Sequence, residues 1–360
     1  MGTEESPPAN RTGLTIYDVA RAAGVSIASV SRVLNGRANP RRETRERVQR
    51  AVAELGFVPD GAARALSNRL KEVVGVVLRR VVGDGMFTDE EENLLFVDLI
   101  NREVEIAAHG RGFDLLMSSV AVTDRMARPR IAGVAGKCDG LILHDRVLAP
   151  SDISRLAMRT SVVTLAGTPT PDSVNVRGDN AGAMRELARH LVVEHGYPTV
   201  AYLAGHADSP DNLARAEAFA DAAVAAGATC DRDPVWQGNY MAGGGAAAIR
   251  AAMAAGRPLP RAIACANDQT ALGVMRALAE RGLRVPEDVA ITGFDDIPAA
   301  RHLHPPLTTI RQPIRQLGTT AFDVLHRLIT GALRPGLEIV LPTTLVLRES
   351  CGCDGTKGMP

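Results

Sequence analysis

The sequence predicts a small all-α headpiece carrying a helix-turn-helix, followed by an α/β core of two doubly wound, parallel-sheet subdomains. Three observations predict it. Residues 15–35, TIYDVARAAGVSIASVSRVLN, read as two short helices joined by a tight turn. From Val73 onward, short apolar runs alternate with amphipathic stretches, the pattern of parallel strands covered on both faces. At 360 residues the chain is long enough for two or three domains. Its 46% apolar content, its 3% aromatics and its many Gly and Ala residues suit helices packed closely on sheets.

Taken in order, residues 1–13 are polar and Pro-containing, with no apolar h-region, so a disordered leader is expected there and not a signal peptide. In the helical pair, Ala20 is small enough for the second helix to cross the first closely. Gly24 falls where the turn needs a left-handed backbone. Val30 points back into the joint, and Ser26 is a natural N-cap for the second helix. Helix-turn-helix geometry places that second helix in a DNA major groove; on these residues alone, an ordinary helical hairpin is the alternative. After the loop GRANP, Val48, Val52 and Leu55 recur at helical spacing, with Asn39 and Pro40 as the expected N-cap and N1 pair and Gly56 as the stop. The headpiece is therefore set at 14–59. Residues 60–72 are Ala-rich and have little to bury, so a helix there is marginal in water: a hinge ordered by a partner, or a plain linker.

In the core, VVGVVL, FDLLMS, GLILH, SVVTLA, TVAYLAG, RAIACAN and VAITGFDD read as strands. They are too many for one compact sheet with one crevice. Two subdomains with a ligand between them, at the carboxyl ends of the strands, fit better. The acidic insert 83–93, GDGMFTDEEEN, reads as a solvated loop at the rim. No apolar run approaches the roughly 20 residues needed to span a bilayer, so a soluble, cytoplasmic protein without a membrane partner is expected.

Formal net charge is zero, but twelve Lys and Arg stand against five Asp and Glu between Arg11 and Lys71. A basic module on a neutral body fits a DNA reader with a separate second function. The five cysteines, Cys138, Cys230, Cys265, Cys351 and Cys353, give no disulfide framework. Cys351-x-Cys353 offers half a metal site, and the sequence shows no second pair or histidine cluster to complete it, so no metal and no cofactor is expected.

Five segments together resemble the LacI/GalR family of transcriptional regulators: TIYDVARAAGVSIASVSRVLNG, TRERVQRAVAELGFVPDGAARAL, ANDQTALGVMRALAERGLRVPEDVAITGFDD, PPLTTIRQP and LPTTLVLRESCG. The resemblance covers the chain from Leu14 to about Gly352. It implies a headpiece, a hinge helix and a core like the periplasmic sugar-binding proteins, with subdomains 73–178 plus 314–341 and 179–313 plus 342–352, and a flexible tail over 353–360. It also implies a homodimeric repressor on a palindromic double-stranded operator, controlled by a small effector such as a carbohydrate or nucleoside. DNA-binding positions then fall on Thr15, Tyr17, Ser26, Ile27, Ala28, Ser29, Arg32, Asn35, Asn39, Ala63 and Leu66.

Ile27 and Ala28 hold the family's first two exposed positions of the recognition helix. Being apolar, they suit thymine methyls and cannot hydrogen-bond a base; burial in the headpiece is the alternative for Ile27. Ser29 suits a base edge or a phosphate. Arg32, one turn on, suits a bidentate guanine contact. Thr15, Tyr17 and Asn35 suit phosphates. Leu66 matches the leucine that wedges into the central base step, where small neighbours such as Ala63 let two hinge helices approach; burial against the core is its alternative.

Effector contacts fall on Arg215, Tyr240, Asn267 and Asp295. Asp295 would accept from two hydroxyls, Arg215 would donate in a fork, Asn267 would do both, and Tyr240 would stack on a sugar face. Trp236 is expected to be partly buried and Asp268 to cap the helix after it. An Asp or Asn at a strand end is also commonly a cap or turn residue.

Three departures from the family pattern stand out. Arg41 and Arg42 replace the usual Ser and Pro. Gly167 ends its strand where many sugar-responsive members carry Asp. The first strand runs on into VVLRRVVGDG. An enzyme is the first rival, but the chain has no Gly-x-Gly-x-x-Gly after its first strand, no phosphate-binding Gly-Lys-Thr loop and no Gly-x-Ser-x-Gly elbow. A transport binding protein, and a core that has lost its ligand response, are the others.

Overall fold

The computed structural model describes residues 14–34, 40–58, 70–80, 94–121 and 126–354. The leader, Asn35, Asn39, most of the hinge with Ala63 and Leu66, and the acidic insert lie outside the described residues. The chain divides into two compact units, Met1–Lys71 and Glu72–Pro360.

The first unit holds α1 (Ile16–Ala23), α2 (Ile27–Leu34) and α3 (Arg42–Leu55). Helix α1 opens on a local clasp: the Thr15 N–H and hydroxyl donate to Asp18 Oδ2 at 2.9 and 2.7 Å. It ends at Gly24, left-handed at φ 61°, ψ 42°. The Ser26 hydroxyl accepts from the Ser29 N–H at 3.2 Å and so caps α2, as its position suggests. Val19, Val30 and Val48 are fully buried where the three helices meet, with Ala20, Ala23, Ala51 and Phe57 around them.

Helix α3 begins later than the Asn39–Pro40 pair implies. Arg41 occupies the cap position with ψ 139°, still extended, and offers no side-chain acceptor. The Arg42–Glu46 pair, at 2.8 Å and one helical turn apart, braces the first turn instead. Gly56 ends α3 in the left-handed conformation, as expected.

The second unit contains two parallel sheets. Its elements, in order, are β1 (Val73–Arg80), α4 (Leu94–His109), β2 (Asp114–Ala121), α5 (Ala127–Ala135), β3 (Gly140–His144), α6 (Pro150–Ala157), β4 (Ser161–Leu165), β5 (Val174–Gly178), α7 (Asn180–Arg189), β6 (Thr199–Leu203), α8 (Pro210–Ala225), β7 (Thr229–Asp231), α9 (Ala242–Ala254), β8 (Ala262–Cys265), α10 (Asp268–Ala279), β9 (Ala290–Thr292), β10 (Thr309–Arg311), α11 (Ile314–Ile329), β11 (Glu338–Leu341) and β12 (Thr344–Val346). The six-stranded sheet has the order β11-β5-β4-β3-β1-β2 and the four-stranded sheet the order β7-β6-β8-β9, parallel throughout. Strands β10 and β12 form a separate antiparallel ribbon.

All seven predicted apolar runs are strands. Val74, Val76 and Val77 on β1, and Leu141 and Ile142 on β3, are fully buried because helices cover both faces. The Gly-rich helix α9 and helix α10 cross with almost no gap at Gly273: a Cβ there would fall 1.8 Å from the Ala242 carbonyl oxygen. Strands β5, β7, β10 and β12 carry no run of more than two apolar residues and β11 only the short run 339–341, too little to mark any of them as strands in the sequence. In β5 the fully buried position Asn175 is polar, and its amide oxygen accepts from Thr164 Oγ1 at 2.8 Å and the Gly167 N–H at 3.1 Å.

Candidate functional site

The headpiece turns a coherent face outward. Tyr17 is 62% exposed and Ile27 39% exposed, so Ile27 is not a core residue. Ala28 and Arg32 are exposed and Ser29 half-buried. The Arg32 Nε–H folds back onto the Ala28 carbonyl at 3.1 Å, and the Ser29 and Ser26 hydroxyls lie 3.0 Å apart. Thr15 is occupied by Asp18, and this hydrogen bond holds the Asp18 carboxyl below its ordinary range. One supporting residue escaped the sequence reading. Arg47 of α3 donates from Nη2 to the Gly24 carbonyl at 2.8 Å and ties the turn between α1 and α2 to the third helix.

In the core, the strand ends gather polar side chains. Arg215, on α8, is 4% exposed. Its Nε–H donates to Asn180 Oδ1 and its Nη1–H to the Ala266 carbonyl, both at 2.7 Å. Its guanidinium lies 3.5 Å from the centroid of the Phe294 ring, and Asp211 is 3.7 Å away. Asp295 is 5% exposed at φ 113° and accepts from Gln312 Nε2 at 2.8 Å. Burial raises its carboxyl to about 6, with Arg215 opposing that rise. Tyr240, at φ 69°, donates from its hydroxyl to Ser209 Oγ at 3.2 Å and lays its ring against Gly205, where a Cβ would be 2.3 Å from it. Burial pushes the Tyr240 hydroxyl up to about 12.

Two expectations for this region need correction. The cap of α10 is Asn267, whose Oδ1 accepts from the Thr270 N–H at 3.0 Å and the Thr270 hydroxyl at 2.6 Å, while its Nδ2 donates to the Tyr240 carbonyl at 3.0 Å. Asp268 is the next residue and reaches elsewhere, accepting from Thr309 Oγ1 at 2.5 Å and the Ile297 N–H at 2.9 Å. Trp236 is fully buried at 3% exposure, because its Nε1–H finds Asp231 Oδ2 at 2.8 Å.

Facing these residues across the crevice are side chains that the sequence reading passed over. Asp145 and Arg146 follow β3, and Arg79 lies near the end of β1. The Ser209 hydroxyl donates to Asp145 Oδ2 at 2.9 Å. Asp208 bridges two arginines, Arg146 at 2.9 Å and Arg79 at 3.2 Å. Burial raises the Asp145 carboxyl to about 6, and its Oδ1 is buried without a hydrogen-bond partner. Burial, together with Arg146 and Arg79, lowers His206 to about 4. The signal was available: Asp145 ends GLILHD as Asp295 ends VAITGFD, each just past a strand's carboxyl end.

The expectation that nothing completes Cys351-x-Cys353 is also overturned. His190 and His195, more than 150 residues away in sequence, fold beside the two cysteines, and the four ligand atoms lie within 4.8 Å of one another. Sequence spacing could not show a cluster that only the tertiary fold brings together.

Comparison with known proteins follows the same division. The family model "Bacterial regulatory proteins, lacI family" matches residues 15–60, and the model "Periplasmic binding protein-like domain" matches residues 188–351. The HTH-type transcriptional repressor PurR of Vibrio atlanticus (strain LGP32) is 30% identical over 326 residues, 86% of this chain and 90% of the relative. The HTH-type transcriptional regulator CelR of Thermobifida fusca is 32% identical over 347 residues, 93% of this chain and 98% of the relative. Among solved structures, the lac repressor dimer bound to operator and the anti-inducer ONPF is similar with a TM-score of 0.80 and 28% identity, covering 94% of this chain and 99% of that one. With a DNA-reading headpiece, a two-sheet core and relatives along nearly its whole length, the chain belongs to the lacI family of bacterial transcriptional regulators, which are DNA-binding proteins and not enzymes.

Proposed function

We propose that this chain is a dimeric repressor that binds a palindromic operator and is controlled by a polyhydroxylated small molecule, most simply a carbohydrate, held between the two sheets. One observation carries the effector reading: a crevice whose buried walls are polar and charged. Arg215 and Asp295 lie on one side and Asp145 on the other, with one Asp145 oxygen buried and unpartnered. Such walls suit hydroxyls that donate and accept in pairs. In this reading Arg215, Asp295 and Tyr240 contact the effector directly. Asn267 acts through the Tyr240 carbonyl that it holds.

The operator reading rests on the exposed α2 face of Ile27, Ala28 and Arg32, with Ser29 beside it and Tyr17 positioned for phosphate. The headpiece is assigned to 14–59, the hinge with its Leu66 wedge to 60–72, and the subdomains to 73–178 plus 314–341 and 179–313 plus 342–352. The lac repressor named above was solved as a dimer on its operator with a bound anti-inducer, which supports the same division of labour here. Action on operator DNA places the protein in the cytoplasm. Among the described residues no helix is long and apolar enough to cross a membrane.

Selection of bound duplexes from a random pool tests the operator reading. Two half-sites with two-fold symmetry are expected, and a footprint without that symmetry would end it. A thermal-shift screen of sugars and nucleosides tests the effector reading, since a ligand that binds only the folded core raises its melting temperature.

A further inference from the structure

Away from the crevice, four metal-ligating side chains converge on one point. His190 Nε2 and His195 Nε2 are 3.1 Å apart. Cys351 Sγ is 3.5 Å from His190 Nε2, and Cys353 Sγ is 3.5 and 3.4 Å from the two imidazole nitrogens. A tetrahedral zinc site, with Zn–N of about 2.0 Å and Zn–S of about 2.3 Å, has edges of about 3.3 Å between nitrogens and about 3.5 Å between nitrogen and sulfur. The four observed spacings match those edges closely. We propose that His190, His195, Cys351 and Cys353 bind a structural Zn²⁺ ion that clasps the C-terminal segment to the four-stranded subdomain.

The backbone is shaped for this. Two residues five apart on a regular α-helix point about 140° away from each other. Here α7 runs into a π-helical turn, His190–Glu194, and the wider turn brings His195 round to the side of His190. On the other strand of the site, Gly352 is left-handed at φ 98°, and a Cβ there would strike the Tyr197 hydroxyl at 2.7 Å. That close pass lets Cys351 and Cys353 face the same two imidazoles.

A supporting layer orients the ligands, as metal sites require. The Tyr197 hydroxyl donates to the Cys351 carbonyl at 2.9 Å, and its ring stacks on His195 with 5.3 Å between centroids and 11° between planes. Thr308 Oγ1 lies 3.1 Å from Cys351 Sγ. Cys351 is fully buried, while the other three ligands are half-buried and accessible to an incoming ion.

Four protein ligands leave no open coordination position, which marks a structural site and not a catalytic one. The site sits near the start of β6, opposite the strand ends that form the crevice. It joins the end of α7 to residues 349–354, just after the chain has passed from β11 in the six-stranded sheet to β12 in the two-stranded ribbon. Binding energy at such a clasp is folding energy for the segment it closes. The proposal does not depend on the effector reading.

The full-length chain, purified without a histidine tag, is stripped with a chelator under reductant and titrated with Co²⁺ and then Zn²⁺. One Co²⁺ per chain is expected, with the intense visible bands of tetrahedral cobalt and a thiolate charge-transfer band, both abolished as Zn²⁺ displaces it. Zinc should raise the melting temperature and shield two thiols from a thiol reagent. Cys353→Ser and His195→Gln should each abolish stoichiometric binding, and Cys230→Ser, outside the cluster, should leave it intact. A reduced wild-type chain that takes up no stoichiometric zinc overturns the proposal. So does a cobalt spectrum without thiolate charge transfer, or a Cys351–Cys353 disulfide that, once reduced, still binds no zinc.

Discussion

Asp295 carries the most testable chemistry of any single residue. Burial raises its carboxyl to about 6, so between pH 4 and 6 the folded chain holds a proton that the unfolded chain has released. Its contribution to stability is therefore complete below about pH 4 and is lost as the pH rises through 6. Asp295→Asn removes that dependence: relative to wild type, the variant's melting temperature should stand higher at pH 7 than at pH 4.5, and an equal offset at both would rule out the raised carboxyl. If, as proposed, an effector hydroxyl donates to the ionised form, effector affinity should climb between pH 5 and 7, with proton release seen by calorimetry in two buffers. Asp295→Ala should keep operator binding and lose the effector response; an unfolded core would assign Asp295 to the scaffold. Arg32 belongs to the same scale. If it reads a guanine edge, Arg32→Ala costs about 1–3 kcal/mol at one base of each half-site and relaxes the sequence selected there. A uniform loss across all sequences would make it a phosphate contact. The sequence could nominate both positions because a strand end and an exposed helix face follow local rules. Asp208 and Arg47 have partners 62 and 23 residues away in sequence and carry no local signal, whereas Asp145 has the same strand-end position as Asp295.

At the scale of elements, the turn between α1 and α2 is the critical piece. Gly24 is left-handed, and a Cβ there would be 2.5 Å from Arg47 Nη2, which donates to the same residue's carbonyl. Gly24→Ala therefore adds backbone strain of about 1–2 kcal/mol and displaces Arg47. Operator affinity should fall while the melting transition of the core stays in place, since the two units are separate in the chain. Arg47→Ala should lower affinity in the same direction by less, because an exposed hydrogen bond contributes only about 0.5–1.5 kcal/mol. Elements with an apolar or capping signature were legible: the helices ended at Gly24 and Gly56, and the seven buried runs became strands. The strands that stayed hidden are short or polar. β5 buries Asn175 by satisfying its amide oxygen with the Thr164 hydroxyl and the Gly167 N–H, and β10 and β12 are three-residue strands that form by pairing with each other and, for β10, with the segment after β9. The start of α3 was misjudged because an extended Arg41 outweighs the Asn-Pro capping preference.

At the scale of the whole core, the question is what sets the separation of the two sheets. Asp208 and Ser209, which follow β6, are bonded to Arg79, Arg146 and Asp145, which follow or end β1 and β3. These contacts join the strand ends of the two sheets and are polar, so on the proposed reading they can exchange with effector hydroxyls. Asp208 is 62% exposed at its side chain, so each ion pair alone is worth little in water, yet the two arginines share one acceptor and act together. Asp208→Asn removes the shared charge without emptying any buried space, so the fold should be retained. If the clamp biases the core toward the arrangement seen here, its loss shifts the balance between core states, and operator affinity measured without effector should change. The effector's influence on operator affinity, a coupling of about 1–3 kcal/mol in typical switches, should change with it. Both quantities come from operator titrations of wild type and Asp208→Asn, with and without a saturating hit from the thermal-shift screen. Arg146→Ala provides the paired measurement. It removes the same bridge from the opposite wall and also strips Asp145 of its nearest cation, so effector affinity should fall further than in Asp208→Asn. Two variants with wild-type coupling would mean that the charges across the crevice are spectators, and that the separation of the sheets is set by the chain crossings alone.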